Sequence, residues 1–195
     1  KREISAEIGA LLAFSAIKNN DRVGAIVFTD EVEMYIPPRK GRGHVLRVIR
    51  DLLYFEPKKK GTNIGKACEF ISRITHKSAV VFLLSDFIDV DFERPLRVAA
   101  KKHDLVALRF SDPRELELPP VGLVELSDSE TGEKFSFDTF DRNEVSAYRK
   151  LVERRFHEQS EMFKQIGVDV VDISTATPYQ RALLRFFEMR SRRLR

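Results

Sequence analysis

Apolar runs of about six residues alternate with amphipathic helical stretches along almost the whole chain, and few folds accept that order. The run Val23–Phe28 is continuously apolar and rich in β-branched residues, as a strand covered on both faces requires. Residues 79–84 form the strongest such run, 104–110 another and 168–173 a short last one. Between them lie stretches with helical spacing. Ile4, Ile8, Leu11, Leu12, Ser15 and Ala16 mark a helix to about Lys18, and Val45, Leu46, Ile49, Leu52 and Leu53 mark a second after the glycines at 41 and 43. Ile64, Ala67, Cys68, Ile71 and Ile74 give a third, and Leu96, Ala99 and Ala100 a short fourth. Asp141 caps a long helix carrying Val145, Tyr148, Val152, Phe156, Gln159, Phe163 and Ile166, which Gly167 closes. Thr177 and Pro178 open a last helix that turns Leu183, Leu184, Phe186 and Phe187 to the core. This alternation predicts an α/β fold with a mostly parallel sheet covered by helices on both faces.

Two segments depart from the pattern. The turn Thr29-Asp30-Glu31 is too short for a crossover, so Val32, Met34 and Ile36 must return antiparallel as a half-exposed edge strand, ended by Pro37-Pro38. Around 112–140, breakers at Asp112-Pro113 and Pro119-Pro120 precede Val121, Leu123 and Glu125, then Asp128 to Gly132, then Phe135 and Phe137. That order predicts an inserted β-hairpin. With 195 residues, 43% of them hydrophobic, the chain 1–195 is expected to form a single domain with a sizeable core. No apolar run is long enough to span a membrane, and residues 1–20 lack the pattern of a signal peptide. The chain opens at Lys1 inside a helical pattern, so it is expected to be N-terminally truncated. One cysteine excludes an internal disulfide and a cysteine-based zinc site, and fits a reducing compartment. Residues 178–195 hold six arginines against Glu188, a net +5 in a chain of net +4. No basic stripe continues elsewhere, so a solvated helix end is favoured over a nucleic-acid surface.

In parallel sheets, sites gather beyond the carboxyl ends of strands. That directs attention to residues 29–31, 85–91, 111–112 and 174–175. Asp86, Asp89, Asp91 and Glu93 follow the strongest strand, and carboxylates placed there can hold a hard cation or simply cap the next helix. Thr62 precedes a helix and is a natural N-cap; its hydroxyl becomes a ligand only in acidic company. Gly61-Thr62-Asn63-Ile64-Gly65-Lys66 has three residues between its glycines and Ala67 after the lysine, so it is no phosphate loop. His44, His76, His103 and His157 are scattered without a triad or a zinc motif, and Cys68 lies at core spacing.

Several segments, in order over nearly the whole chain, resemble the DUF58 family. They are Asp21 to Asp30, Pro37-Pro38-Arg39-Lys40-Gly41, Gly61-Thr62-Asn63-Ile64, Leu83-Leu84-Ser85-Asp86-Phe87, Arg109 to Pro113 with Glu115-Leu116, Phe137-Asp138-Thr139, and Gly167 to Val171. The resemblance implies a von Willebrand factor A-like, doubly wound sheet with a metal-ion-dependent adhesion site. It assigns Thr62 and Asp86 as ligands of Mg²⁺ or Mn²⁺. The Asp-x-Ser-x-Ser loop of such a site, and the first central strand before it, are missing from this sequence. The resemblance also implies a bacterial or archaeal module working with a MoxR-type AAA+ ATPase. It implies a cytoplasmic position at the membrane face, with an anchor upstream in the intact protein.

The first expectation is therefore a non-enzymatic protein-interaction module in which an acidic side chain of the partner completes the cation's coordination. A metal-independent structural scaffold is the second. A metal-dependent phosphohydrolase or nuclease is the third, using Asp86, Asp89 and Asp91 with the basic last helix holding phosphate; it needs carboxylates from at least two strand ends.

Overall fold

The structure is a computed structural model that describes residues 1–59, 61–89, 91–116, 120–127 and 134–193. It contains two compact units, Lys1–Ser78 with Ile88–Lys102, and Ala79–Phe87 with His103–Arg195.

The first unit holds α1 (Arg2–Lys18), β1 (Val23–Phe28), β2 (Val32–Arg39), α2 (Arg42–Leu53), α3 (Ile64–Ile74) and α4 (Glu93–Lys102). β1 and β2 pair antiparallel, with Phe28 opposite Val32 across the tight turn, as the turn length requires. β2 does not end at Pro37-Pro38 but runs through them to Arg39. Proline is tolerated there because the register shifts between Val23 and Ala25, and because Pro38 packs over Gly24, where there is no side chain to obstruct it. α1 packs on α2, and α3 on α4. α2 buries Val45 and Val48, while Leu46 and Leu53 face outward, so its apolar stripe is narrower than the spacing predicts. α3 buries Ile64, Ala67 and Cys68.

The second unit holds β3 (Val80–Ser85), β4 (Asp104–Ser111), α5 (Pro113–Leu116), β5 (Leu123–Ser127), β6 (Lys134–Asp138), α6 (Arg142–Ile166), β7 (Asp169–Ser174) and α7 (Tyr179–Arg193). β3, β4 and β7 form a parallel sheet in that order, with α6 and α7 packed on β7. The chain is thus α/β, with a parallel three-stranded sheet flanked by helices. Asp141 caps α6 by accepting from Asn143 N and Glu144 N, and Gly167 ends it at φ 75°, a left-handed value that glycine adopts without strain. β4 is the buried strand, with Leu105 to Phe110 all inside; in β3, which the sequence marks as the strongest, Val80 is 58% exposed. The reason is position: β4 has a neighbour on each side, and β3 has one among the described strands. α7 buries Leu183 and Phe186 but leaves Leu184 and Phe187 largely outside.

β5 and β6 pair antiparallel, Leu123 opposite Asp138; the turn expected at 128–132 lies outside the described residues. Buried Thr139 closes the base of the pair. Its hydroxyl accepts from Val121 N (2.9 Å) and Gly122 N (2.7 Å) and donates to the Gly122 carbonyl (2.8 Å). The breaker Asp112-Pro113 starts the short helix α5 instead of a plain loop, with Asp112 Oδ1 accepting from Arg114 N.

Candidate functional site

At the carboxyl edge of the parallel sheet, the register sets Ser85, Arg109 and Asp172 abreast on β3, β4 and β7. A polar row in a sheet this apolar must be hydrogen-bonded to persist. Arg109, 2% exposed, donates from Nε to Asp172 (2.7 Å), from Nη1 to the Phe156 carbonyl (3.1 Å) and Gln159 Oε1 (3.3 Å), and from Nη2 to Ser160 Oγ (3.1 Å). Its guanidinium also stacks 3.5 Å from the Phe156 ring centroid. Ser85 Oγ accepts from Phe87 N (3.1 Å). Asp86 sits between them, immediately past the last residue of β3. Phe87 is fully buried, holds a left-handed φ of 56° and meets Phe163 edge-on, 5.0 Å between centroids. A cleft of about 580 Å³ opens beside Arg109 and Asp172, towards the start of β7 at Gly167 to Val170. Its charges are already matched: Arg109 with Asp172, Asp169 with Arg190, and Lys164 with Glu161.

In the first unit, Asn63 caps α3. Its Oδ1 accepts from Lys66 N (2.7 Å), and Asp89 Oδ2 accepts from Ile64 N (2.7 Å). Two acceptors at one helix start, one of them charged, satisfy the orphan amides and the positive end of the dipole. Thr62 is therefore not the cap, and its hydroxyl is not committed to that task. The preceding loop is built by the β1–β2 turn. Thr29 donates to Glu33 Oε1 (2.6 Å), and Glu33 accepts from Lys58 N (2.8 Å) and Lys59 N (3.3 Å). These bonds, the Thr29 hydroxyl first, hold the Glu33 carboxyl below its usual range. Lys66 Nζ reaches the Asp30 carbonyl (2.8 Å), and the Thr29 carbonyl accepts from Asn63 N (2.8 Å). Glu33 has no motif around it and looks in sequence like one more solvent-facing residue of an edge strand.

The family model "Protein of unknown function DUF58" matches residues 1–160. The chain belongs to the DUF58 family. Uncharacterized proteins of Mycobacterium tuberculosis and Mycobacterium bovis are 26% identical to it over 201 residues, covering 98% of this chain and 61% of their own length. The chain thus spans about three-fifths of these relatives. An uncharacterized protein of Mycobacterium avium is 25% identical over 160 residues, 80% of this chain and 94% of its own. Among solved structures, a conserved hypothetical protein BatB from Bacteroides thetaiotaomicron shares the fold at TM-score 0.52 and 14% identity, covering 95% of this chain and 87% of its own. An aerotolerance-related membrane protein from Bacteroides fragilis does so at 0.55 and 16%, covering 92% and 86%.

In this DUF58 chain, Thr62 belongs to the first unit and Asp86 to the second. Both offer oxygen donors suited to a hard cation, but one carboxylate and one neutral hydroxyl are too few to offset the dehydration of Mg²⁺. Of the other acidic candidates, Asp89 is committed to α3, and Asp91 holds a left-handed φ of 60° beside Glu93, which pairs with Arg97. Among the described residues, no three acidic, histidine or cysteine side chains gather around one cation position. In the basic last helix, α7, Arg190 is drawn inward onto Asp104 and Asp169 and lies over Phe186, so it is not free to hold a phosphate. No helix among the described residues is long and apolar enough to cross a membrane.

Cys68 is a core residue, 2% exposed, and burial pushes its thiol up from 9.0 to about 12. The unfolded thiol ionises first as pH rises, so its contribution to stability is complete below pH 9 and is lost progressively towards 12. A thiol reagent at pH 8 is expected to label the native protein negligibly and the urea-unfolded protein fully. In unfolding scans from pH 8 to 10.5, Cys68→Ala should flatten part of the alkaline loss; an identical slope would show the thiol to be exposed.

Proposed function

We propose that this chain is a non-enzymatic protein-interaction module built on a von Willebrand factor A-like sheet, with a MoxR-type AAA+ ATPase as its partner. The observation that carries the reading is the place of Asp86, set immediately past a parallel strand at the sheet's carboxyl edge, where this class of fold puts its sites. Thr62 and Asp86 are the two donors the reading gives to an adhesion-site cation, Mg²⁺ or Mn²⁺. The cation needs further donors from outside the 195 residues, because the sequence contains no Asp-x-Ser-x-Ser loop. In this reading the module works in the cytoplasm at the membrane face; the Bacteroides fragilis neighbour, called a membrane protein, agrees with the membrane part alone.

A metal-independent scaffold is the second reading, and the engagement of Asp89 with the α3 amide favours it, since that removes a carboxylate from the loop after β3. One experiment separates the two. Binding to the purified ATPase is measured for the full-length protein, with Mg²⁺ or with EDTA, and for its Asp86→Ala variant. The first reading expects at least a tenfold loss of affinity from either change, and no tight Mg²⁺ or Mn²⁺ binding by the 195-residue chain in calorimetry. Binding that survives both EDTA and Asp86→Ala establishes the scaffold. No binding of the ATPase in any form removes that partner.

A further inference from the structure

Asp86 has a neighbour on each side whose backbone is pinned. Ser85 is in the ladder to Arg109, and its hydroxyl accepts the Phe87 N–H (3.1 Å). Phe87 is held in a left-handed conformation that costs an ordinary residue about 1–2 kcal/mol, so its surroundings must impose it. Its contacts include the ring shut in against Phe163, the N–H held by Ser85, and the carbonyl accepting from Gln159 Nε2 at 2.8 Å.

The direction of the Gln159 amide is fixed by chemistry. Arg109 has only donors, so the atom facing its Nη1 must be the Gln159 oxygen, and the nitrogen is then turned to the Phe87 carbonyl. Arg109 cannot rotate away, because Asp172, the Phe156 carbonyl, Ser160 and the Phe156 ring hold its other faces. Phe156, Gln159, Ser160 and Phe163 lie at the i, i+3, i+4, i+7 positions of one face of α6. One helix face and one row of the sheet thus grip the residues on both sides of Asp86, Ser85 through the ladder and Phe87 through its carbonyl.

We infer that Gln159 is a positioning residue for the Asp86 turn, its amide oriented by buried Arg109 so that it clamps the Phe87 carbonyl. The inference rests on reading Asp86 as the binding carboxylate. A carboxylate that meets a partner must leave the sheet in a fixed direction, and a clamp on the residue that follows it supplies that direction.

The test is Gln159→Glu in the 195-residue chain at pH 7. Glutamate still accepts from Arg109 but has no donor for the Phe87 carbonyl. Amide exchange of Phe87 and the backbone chemical shifts of Asp86 and Phe87 are read by NMR, beside the thermal midpoint. The Phe87 N–H itself stays on Ser85 Oγ, so its exchange reports opening of the turn; with the carbonyl bond no longer opposing that opening, exchange should accelerate by about tenfold. The Asp86 and Phe87 shifts should move while the midpoint changes by only a few degrees. A lower midpoint with unchanged Asp86 shifts would assign Gln159 a merely structural role and overturn the inference. Unchanged exchange and shifts would also overturn it. None of these readouts involves a ligand. A turn that moves in Gln159→Glu, together with ATPase binding that ignores Asp86→Ala, would uphold the clamp and reject Asp86 as the binding carboxylate.

Discussion

Phe163→Ala is expected to remove about 3–5 kcal/mol of unfolding free energy, the usual range for emptying a buried phenylalanine site. Phe163 is fully buried on α6, and its ring stands edge-on to Phe87, which is equally buried. The substitution therefore loses the transfer term, leaves a cavity between helix and sheet edge, and breaks an aromatic pair worth about 0.5–1.5 kcal/mol of its own. Domains of this size hold about 5–15 kcal/mol in total, so the variant should melt about 10 °C lower and unfold early in urea. Phe163→Leu, which refills most of the volume, should recover more than half of the loss. A loss below about 1 kcal/mol for the alanine variant would mean that α6 does not pack on the sheet edge through this residue.

Gly24→Val is expected to destabilise although valine is the better strand former. A Cβ on residue 24 would stand 2.7 Å from the Ile36 carbonyl oxygen and 3.0 Å from the nitrogen and Cγ of Pro38. Neither is the end of a flexible side chain; both belong to a segment stiffened by Pro37 and Pro38. The two strands must splay, at a cost of about 3 kcal/mol. Chemical unfolding of Gly24→Ala and Gly24→Val should give a graded loss. A gain in either variant would show that β2 does not cross Gly24 in this register.

The alternation of apolar runs and helical stretches was enough to locate nearly every element, because burial period and capping are local properties: Asp141 and Gly167 bound α6 as their chemistry requires. What sequence could not rank was burial among similar strands. Residues 79–84 are wholly apolar and 104–110 carry Asp104 and Arg109, yet among the described strands only β4 has a partner on both sides, and neighbour count is a property of the whole sheet. Nor could spacing separate Thr62 from Asn63 as the cap of α3, since both are good caps one position apart. At the candidate site, the place of Asp86 at the end of a strand was legible. Its supports were not. Gln159 fell on the apolar face of a helical pattern, where a lone polar residue passes for noise, and Arg109 was one more charge in a chain that is one-third charged. Both acquire meaning only through partners 47 to 72 positions away.

The pairing of β4 with β7 has a consequence for synthesis. Residues 112–168 separate the two strands, so at ordinary translation rates β4 is complete for about 3–11 seconds before its second neighbour exists. During that wait, one edge of the most buried strand is open, and short segments of high strand propensity and low charge self-associate readily. Arg109 interrupts that segment with a charge that has no counter-ion until Asp172 emerges. An unpaired guanidinium in the middle of a nascent strand repels copies of itself and discourages stacking between chains. The residue that ties helix to sheet in the finished protein thus also guards the growing one against premature association.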